Sequence, residues 1–220
     1  MRWPLILSLS IGAVACGSGN GVDPARSSTT PGASTCLIPQ SQLVNGGPGR
    51  DGIPALNRPA AVSAAAGDRF LSPDTLVVGV AIGAEACAYP HNLLWWHEIV
   101  NDELGGRPLV VSYCPLTGSG MVYDAAIGGR TLNFGVSGLL FDNNLVLFDR
   151  ATDSLWSQMR VQSVCGTLSS TTPTLLPVVQ STWAAWKALH PATTVVSFDT
   201  GFARNYNQYP YGNYDQLFLP

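Results

Sequence analysis

The chain has 220 residues and a formal net charge of −3, and 11% of its residues are charged, well under the roughly 25% of an average soluble domain. That length holds one ordinary domain once export and linker segments are set aside, and the charge provides no basic footprint for a nucleic-acid partner. No apolar run after the first sixteen residues is long enough to span a bilayer.

Met1 and Arg2 form a short positive start, and Trp3 to Ala15 an apolar stretch too short for a transmembrane helix. It ends in Ala13-Val14-Ala15-Cys16, followed by Gly17. Small residues just before a cysteine suit the narrow cleft of a lipoprotein signal peptidase. Residues 1–15 are therefore expected to be a lipoprotein signal peptide, with Cys16 the lipidated first residue of the mature chain. Two acyl chains on Cys16 suffice for stable anchoring, so the expected partner of this end is a membrane. The expected location is the cell envelope. Gly17, rather than Asp, after the cysteine favours the outer membrane of a Gram-negative host, facing the periplasm or the cell surface. Residues 16–35 are rich in Gly, Ser, Thr and Pro and read as a flexible tether. Residues 36–220 are expected to form a single globular domain.

Within that domain, Gly46 to Gly52 is a dense turn segment. Leu76 to Ile82 is a Val-rich run with the character of a buried strand. Asn92 to Val100 predicts a helix capped by Asn92, broken at 101–106, and Pro108 to Tyr113 a further strand. Strands are expected at Met121–Asp124, Thr131–Val136, Asn144–Phe148 and Trp156–Val164. Ser181 to Leu189 predicts a second short helix, capped by Ser181, with Trp183 and Trp186 on one face; Pro191 stops it. Val195 to Phe198 is the last expected strand, before a tail rich in Tyr, Asn and Gly. The sum is an α+β fold, mainly an antiparallel β-sheet or partly closed barrel with two short helices.

Several segments occur together in an order that resembles a known family. They are Asp51-Gly52-Ile53-Pro54-Ala55-Leu56, Ala88-Tyr89-Pro90, His97-Glu98-Ile99-Val100-Asn101-Asp102 and Tyr113-Cys114-Pro115-Leu116-Thr117-Gly118-Ser119. Gly135-Val136-Ser137-Gly138, Asp149-Arg150, Ser154-Leu155-Trp156-Ser157-Gln158, Tyr206 and Pro210-Tyr211-Gly212 complete the set. They resemble the bacterial domain-of-unknown-function family DUF3179, from about residue 46 to 214. The resemblance implies a bacterial, often exported domain and no established activity. The chain departs from the family pattern at Cys87 and Cys165. Exported proteins meet oxidising surroundings, so these two added cysteines are expected to pair; the alternative is that Cys36 takes one of them. Four cysteines after Cys16 allow three complete pairings.

Cys114 is the leading candidate for chemistry. Pro115 holds it extended at a strand end, beside the Thr117-Gly118-Ser119-Gly120 loop, whose N–H groups could face an anion. His97 lies in the predicted helix that leads into that strand, and Glu98 and Asp102 are four residues apart. Cys114 and His97 are expected to meet in a pocket shared with Glu98 or Asp102. They would act as a thiol–imidazole pair or as ligands to copper or zinc. Thr117, Ser119, Trp156 and Gln158 are candidate binding residues around it, the last two on the same side of a strand. Against this stand the readings of Cys114 as a small core residue and of His97 as a ring bonded to loop backbone. Three functional hypotheses follow: an exported lipoprotein with a Cys/His-centred metal or thiol site, a non-enzymatic envelope binding module, and a cysteine hydrolase or transferase.

Overall fold

The computed structural model describes residues 35–212. The expected signal peptide, Cys16, all but the last residue of the tether, and the end of the tyrosine-rich tail lie outside the described residues. Three open five-stranded sheets stack upon one another. The outer sheet runs, in spatial order, Val44–Asn45, Phe134–Phe141, Asn144–Asp149, Leu155–Ser157 and Gln162–Cys165, antiparallel throughout. The middle sheet runs Leu175–Leu176, Ser119–Asp124, Arg107–Cys114, Ile99–Leu104 and Leu56–Asn57, the last pair parallel. The third sheet runs Val179–Thr182, Leu76–Ile82, Glu85–Pro90, Thr194–Val196 and Ala61–Ser63, parallel only between its third and fourth strands. A two-stranded hairpin, Ala126–Ile127 with Arg130–Thr131, stands apart from them. Helices α1 (Ala64–Gly67) and α3 (Trp183–Leu189) pack on the third sheet, and α2 (His91–His97) joins that sheet to the middle one. The architecture is the expected mainly antiparallel α+β fold, with a third short helix and sheets that stay open.

The middle sheet is buried on both faces, which explains the near-continuous hydrophobicity of its strands. Along Arg107–Cys114, Val110 and Cys114 join the core against the outer sheet, while Leu109, Val111 and Tyr113 join the core against the third. The strand period of two thus serves two cores at once. Helix α3 begins at Trp183 rather than Ser181, because Thr182 caps it by accepting from the Ala185 N–H at 3.3 Å. Trp183 and Trp186 are buried together on its one apolar face, as expected.

The largest local departure concerns α2. It starts at His91 after Pro90, without the expected Asn92 cap, and stops at His97. Glu98 turns the chain with φ +55° and sends it directly into the strand Ile99–Leu104, so residues 101–104 are strand rather than break. Helical apolar spacing and strand alternation overlap across Leu93–Val100, and pairing with Arg107–Cys114 decides between them. The expected strand 156–164 likewise divides into Leu155–Ser157 and Gln162–Cys165, with a turn at 158–161.

The disulfide joins Cys36 to Cys165, and Cys87 is a free, buried thiol. The expected Cys87–Cys165 pairing is therefore incorrect, and the alternative with Cys36 is the one formed. Cys87 sits in the core between the third and middle sheets, whereas Cys165 ends the edge strand of the outer sheet. Sheets stack about 10 Å apart, and the middle sheet lies between the pair. Cys36 instead meets Cys165 through a local bridge, flanked by the Leu37 N–H donating to the Val164 carbonyl at 2.7 Å.

Candidate functional site

The residues expected to form one pocket are distributed over several places. His97 is fully buried at the end of α2. Its Nδ1 lies 2.8 Å from the Pro54 carbonyl and its Nε2 2.7 Å from the Tyr206 hydroxyl. A carbonyl only accepts, so Nδ1 carries the proton and Nε2 accepts from Tyr206. Tyr206 is held in turn by Thr200 at 2.6 Å. Burial holds the imidazole below its ordinary pKa, opposed by the Pro54 bond. Both nitrogens are committed to oxygen partners, so no Cys114–His97 hydrogen bond forms and neither nitrogen is free to ligate. The ring is a bracket joining the 53–56 segment to the C-terminal strap, residues 199–212, which is the loop-bonded reading of His97.

Cys114 is 2% exposed, with Sγ 4.0 Å from the Asn143 carbonyl. Burial raises its thiol pKa, and the nearby Glu98 carboxyl raises it further, although Thr117 opposes them. That environment is the opposite of the electropositive one that activates a cysteine. Thr117, Ser119 and Gln158 form a second cluster with Ser112 and Asn144. Gln158 Nε2 donates to Ser112 Oγ at 3.0 Å and the Ser119 carbonyl at 3.1 Å. Its Oε1 accepts from Ser119 Oγ at 2.9 Å and Asn144 Nδ2 at 2.8 Å. Asn144 also donates to Thr117 Oγ1 at 2.9 Å. These polar residues bond one another across two sheets, with Asn144 Oδ1 alone lacking a partner among the described residues, and the cluster serves as a structural rivet. Trp156 is likewise core: its indole N–H donates to the buried Asp149 carboxyl at 3.0 Å. Asp102 faces the third sheet and accepts from the Tyr89 hydroxyl at 2.9 Å, so it shares no pocket with Glu98. Among the described residues no group of three or more His, Cys, Asp and Glu side chains is placed to hold a metal ion. The expected copper or zinc site therefore has no donor set there.

Glu98, an expected binding residue, lines a cleft. Three features converge on it. Its backbone has a positive φ in a non-glycine residue, held because its N–H donates to the Leu94 carbonyl and its carbonyl accepts from the Tyr113 N–H. Such a conformation costs on the order of 1–3 kcal/mol and concentrates at functional sites. The residue is 7% exposed, at a cleft of about 60 Å³ walled by Ile53, Leu116, Val136, Leu139, Leu140 and Leu145. Its Oε1 accepts from the Tyr211 hydroxyl at 2.7 Å. Burial pushes the carboxyl up to about 7, against the Tyr211 bond, which lowers it. A wider groove of about 300 Å³, bordered by Trp95, Trp96 and Arg204, adjoins this cleft through Pro48, Ile53 and Tyr211.

Two chain segments build the cleft wall. The Phe134–Phe141 strand bulges between Val136 and Leu139. Gly138 there has φ +76°, and a Cβ on it would lie 2.5 Å from the Gly49 backbone, so only glycine admits the 46–53 loop. The C-terminal strap supplies Tyr211 and is tied down by Trp96 Nε1 donating to the Gln208 carbonyl at 3.1 Å. In the sequence the tyrosines of the tail read either as glycan or peptide contacts or as packing across the domain, and nothing in its composition singles out Tyr211 as the partner of Glu98.

The Glu98 carboxyl gives a pH-dependent prediction. Its folded pKa lies above its ordinary value of 4.5. The stability it permits is therefore fully present below pH 4.5 and is lost as the pH rises through about 7. A shift of this size corresponds to on the order of 3 kcal/mol. Glu98→Gln is expected to stabilise the fold by about 1–3 kcal/mol at pH 8 and by almost nothing at pH 4. Urea denaturation at the two pH values measures the difference. His91, which burial holds at about 4, titrates in both proteins and cancels. An equal effect at both pH values would show that the carboxyl is not perturbed.

Fold and cleft together define a class: a layered β-rich domain that keeps one acid in an apolar cleft. The chain belongs to the DUF3179 family: the model of that family, described as a protein of unknown function, matches residues 50–218. No curated protein and no solved structure matches the chain.

Proposed function

We propose that this protein is a lipid-anchored binding module of the bacterial cell envelope, which presents the Glu98 cleft to a small ligand with an apolar body. The observation that carries the reading is a buried carboxyl on a strained backbone in an otherwise apolar cleft, joined to a wider groove. Binding is favoured over thiol or hydrolytic chemistry because Cys114 is buried with its thiol pKa raised, and His97 has both nitrogens occupied. The anchor is supported by the Ala13-Val14-Ala15-Cys16 sequence and the polar tract behind it. Two acyl chains on Cys16 would hold the domain at the membrane, on the outer membrane in a Gram-negative host. Cys16→Ser is expected to leave the chain unprocessed or release it from the membrane fraction; a mature amino terminus elsewhere, without lipid, removes the anchor.

The cleft is tested with n-butanol, a neutral probe small enough for its volume. In an NMR titration of the full chain in detergent micelles, amides of residues 116, 136 and 139 should shift. Leu116→Trp, which fills the cleft, should abolish the shifts, and Cys114→Ser should leave them unchanged. No shift in the wild type, or loss of binding in Cys114→Ser, would overturn the reading.

A further inference from the structure

The reading of the cleft as a binding site leaves open what its one charged group is for. An ionised carboxylate taken out of water requires a counter-charge or becomes protonated. The groups acting on Glu98 are Tyr211 from the C-terminal strap and Cys114 from the strand Arg107–Cys114. Neither is a cation. Both pKa values are raised, the Tyr211 hydroxyl's well beyond its ordinary range, so both stay neutral between pH 5 and 8. Arg204 borders only the adjoining groove, with its guanidinium 5.4 Å from the Trp96 ring centroid. Among the described residues the carboxyl therefore has one hydrogen-bond donor and no partner of opposite charge.

We propose that the Glu98 cleft binds a primary ammonium carried on a short apolar stem, the carboxylate taking the ammonium and the wall of Ile53, Leu116, Val136 and Leu145 taking the stem. This rests on the cleft being a binding site at all. The geometry selects within the cations. Tyr211 donates to Oε1 at 2.7 Å, and the carboxylate keeps acceptor sites on both oxygens for a ligand. A guanidinium is a rigid plane of four non-hydrogen atoms, whereas an ammonium is a compact point charge that leaves the space of the cleft to its stem. A cleft of about 60 Å³ has room for on the order of five non-hydrogen atoms, enough for an ammonium and a four-carbon stem. Anions are repelled, and a neutral ligand leaves the carboxylate unpaired.

The proposal carries a proton balance. Below about pH 7 the carboxyl is mostly protonated, and it must ionise to hold the ammonium. One proton then leaves Glu98 for solvent as the charge-assisted bond forms, and no covalent bond changes. Affinity should rise with pH up to about 7 and level off above it.

The test uses the full chain in detergent micelles and the same NMR titration, at pH 5.5 and 8.0. n-Butylammonium is compared with n-butanol as its neutral isostere, and with Nα-acetyl-lysine amide as the peptide-borne form of the same group. n-Butylammonium should bind about thirtyfold more tightly at pH 8.0 than at pH 5.5, for a carboxyl titrating near 7. n-Butanol should gain no affinity between pH 5.5 and pH 8.0. Glu98→Gln, with its fold confirmed by the dispersion of its spectrum, should lose both the pH dependence and the preference for amine over alcohol. Binding of the lysine amide as well would identify a side chain as a competent source; its failure beside n-butylammonium would restrict the site to free amines. If n-butanol binds but n-butylammonium binds no better, or binds equally at both pH values, the ammonium proposal falls while the cleft stands. If neither probe shifts the cleft amides, the binding-site reading falls with it.

Discussion

Replacing Cys165 with Ser is expected to lower the unfolding free energy by about 3–5 kcal/mol, because the lost cross-link closes a very long loop. Cys36 and Cys165 are 129 residues apart. The chain-entropy model assigns about 5 kcal/mol to a loop of that order, with shorter loops worth less. The bond also pins the start of the folded chain to the Gln162–Cys165 edge strand, where Ile38, Phe141, Val146 and Val164 share a small core. Cys36→Ser should cost the same as Cys165→Ser, and the double replacement no more than either. Cys87→Ala should leave the cross-link intact. Urea denaturation under oxidising conditions measures the cost, and non-reducing peptide mapping identifies the linked pair. A Cys165→Ser protein within about 1 kcal/mol of the wild type would mean the constraint is not what holds this edge.

Gln158→Leu is the second large expectation, about 3–5 kcal/mol of destabilisation with side-chain volume nearly conserved. Gln158 is 0% exposed and both ends of its amide are used. An apolar replacement takes the amide from the Ser119 carbonyl and the Ser112 hydroxyl and removes one of the three acceptors of Asn144 Nδ2. Each buried polar group left unpaired costs about 1–3 kcal/mol. Because Asn144 belongs to the same network, the double replacement Gln158→Leu with Asn144→Leu should cost less than the sum, with a coupling of about 0.5–3 kcal/mol. Strict additivity in denaturation would reduce the network to independent contacts. A Gln158→Leu protein with unchanged stability would show that the two sheets are held by their apolar core alone.

The candidate site shows where sequence reasoning stopped. Cys114 was legible as the end of a strand, since Pro115 forces an extended residue before it. Its burial was not, because its strand alternates two apolar sets, and only the stacking of a sheet on each side buries both. His97 and Cys114 are neighbours in the motif pattern, yet the turn at Glu98 directs the imidazole to Pro54 and Tyr206. Trp156 lies in the strand Leu155–Ser157, whereas Gln158 stands in the turn after it rather than on the expected strand face. What they face is the middle sheet and the Asp149 carboxyl rather than an open pocket.

Local chemistry was sufficient for the elements whose pattern has one period. Leu76–Ile82 is a strand at the expected residues, because a Val-rich run of that length suits a sheet and no helix-forming spacing competes. The two buried tryptophans of α3 follow from their spacing of three, and the mainly antiparallel α+β class follows from many short strands joined by turns. Long-range pairing decided the rest. Which cysteine meets Cys165 depends on which sheets are neighbours, and residue spacing carries no record of layer order. Glu98 became the acid of the cleft only when the outer-sheet bulge, the 46–53 loop and Tyr211 from 113 positions away closed around it. A carboxyl's burial, and hence its charge at neutral pH, is set by the company that tertiary structure brings to it.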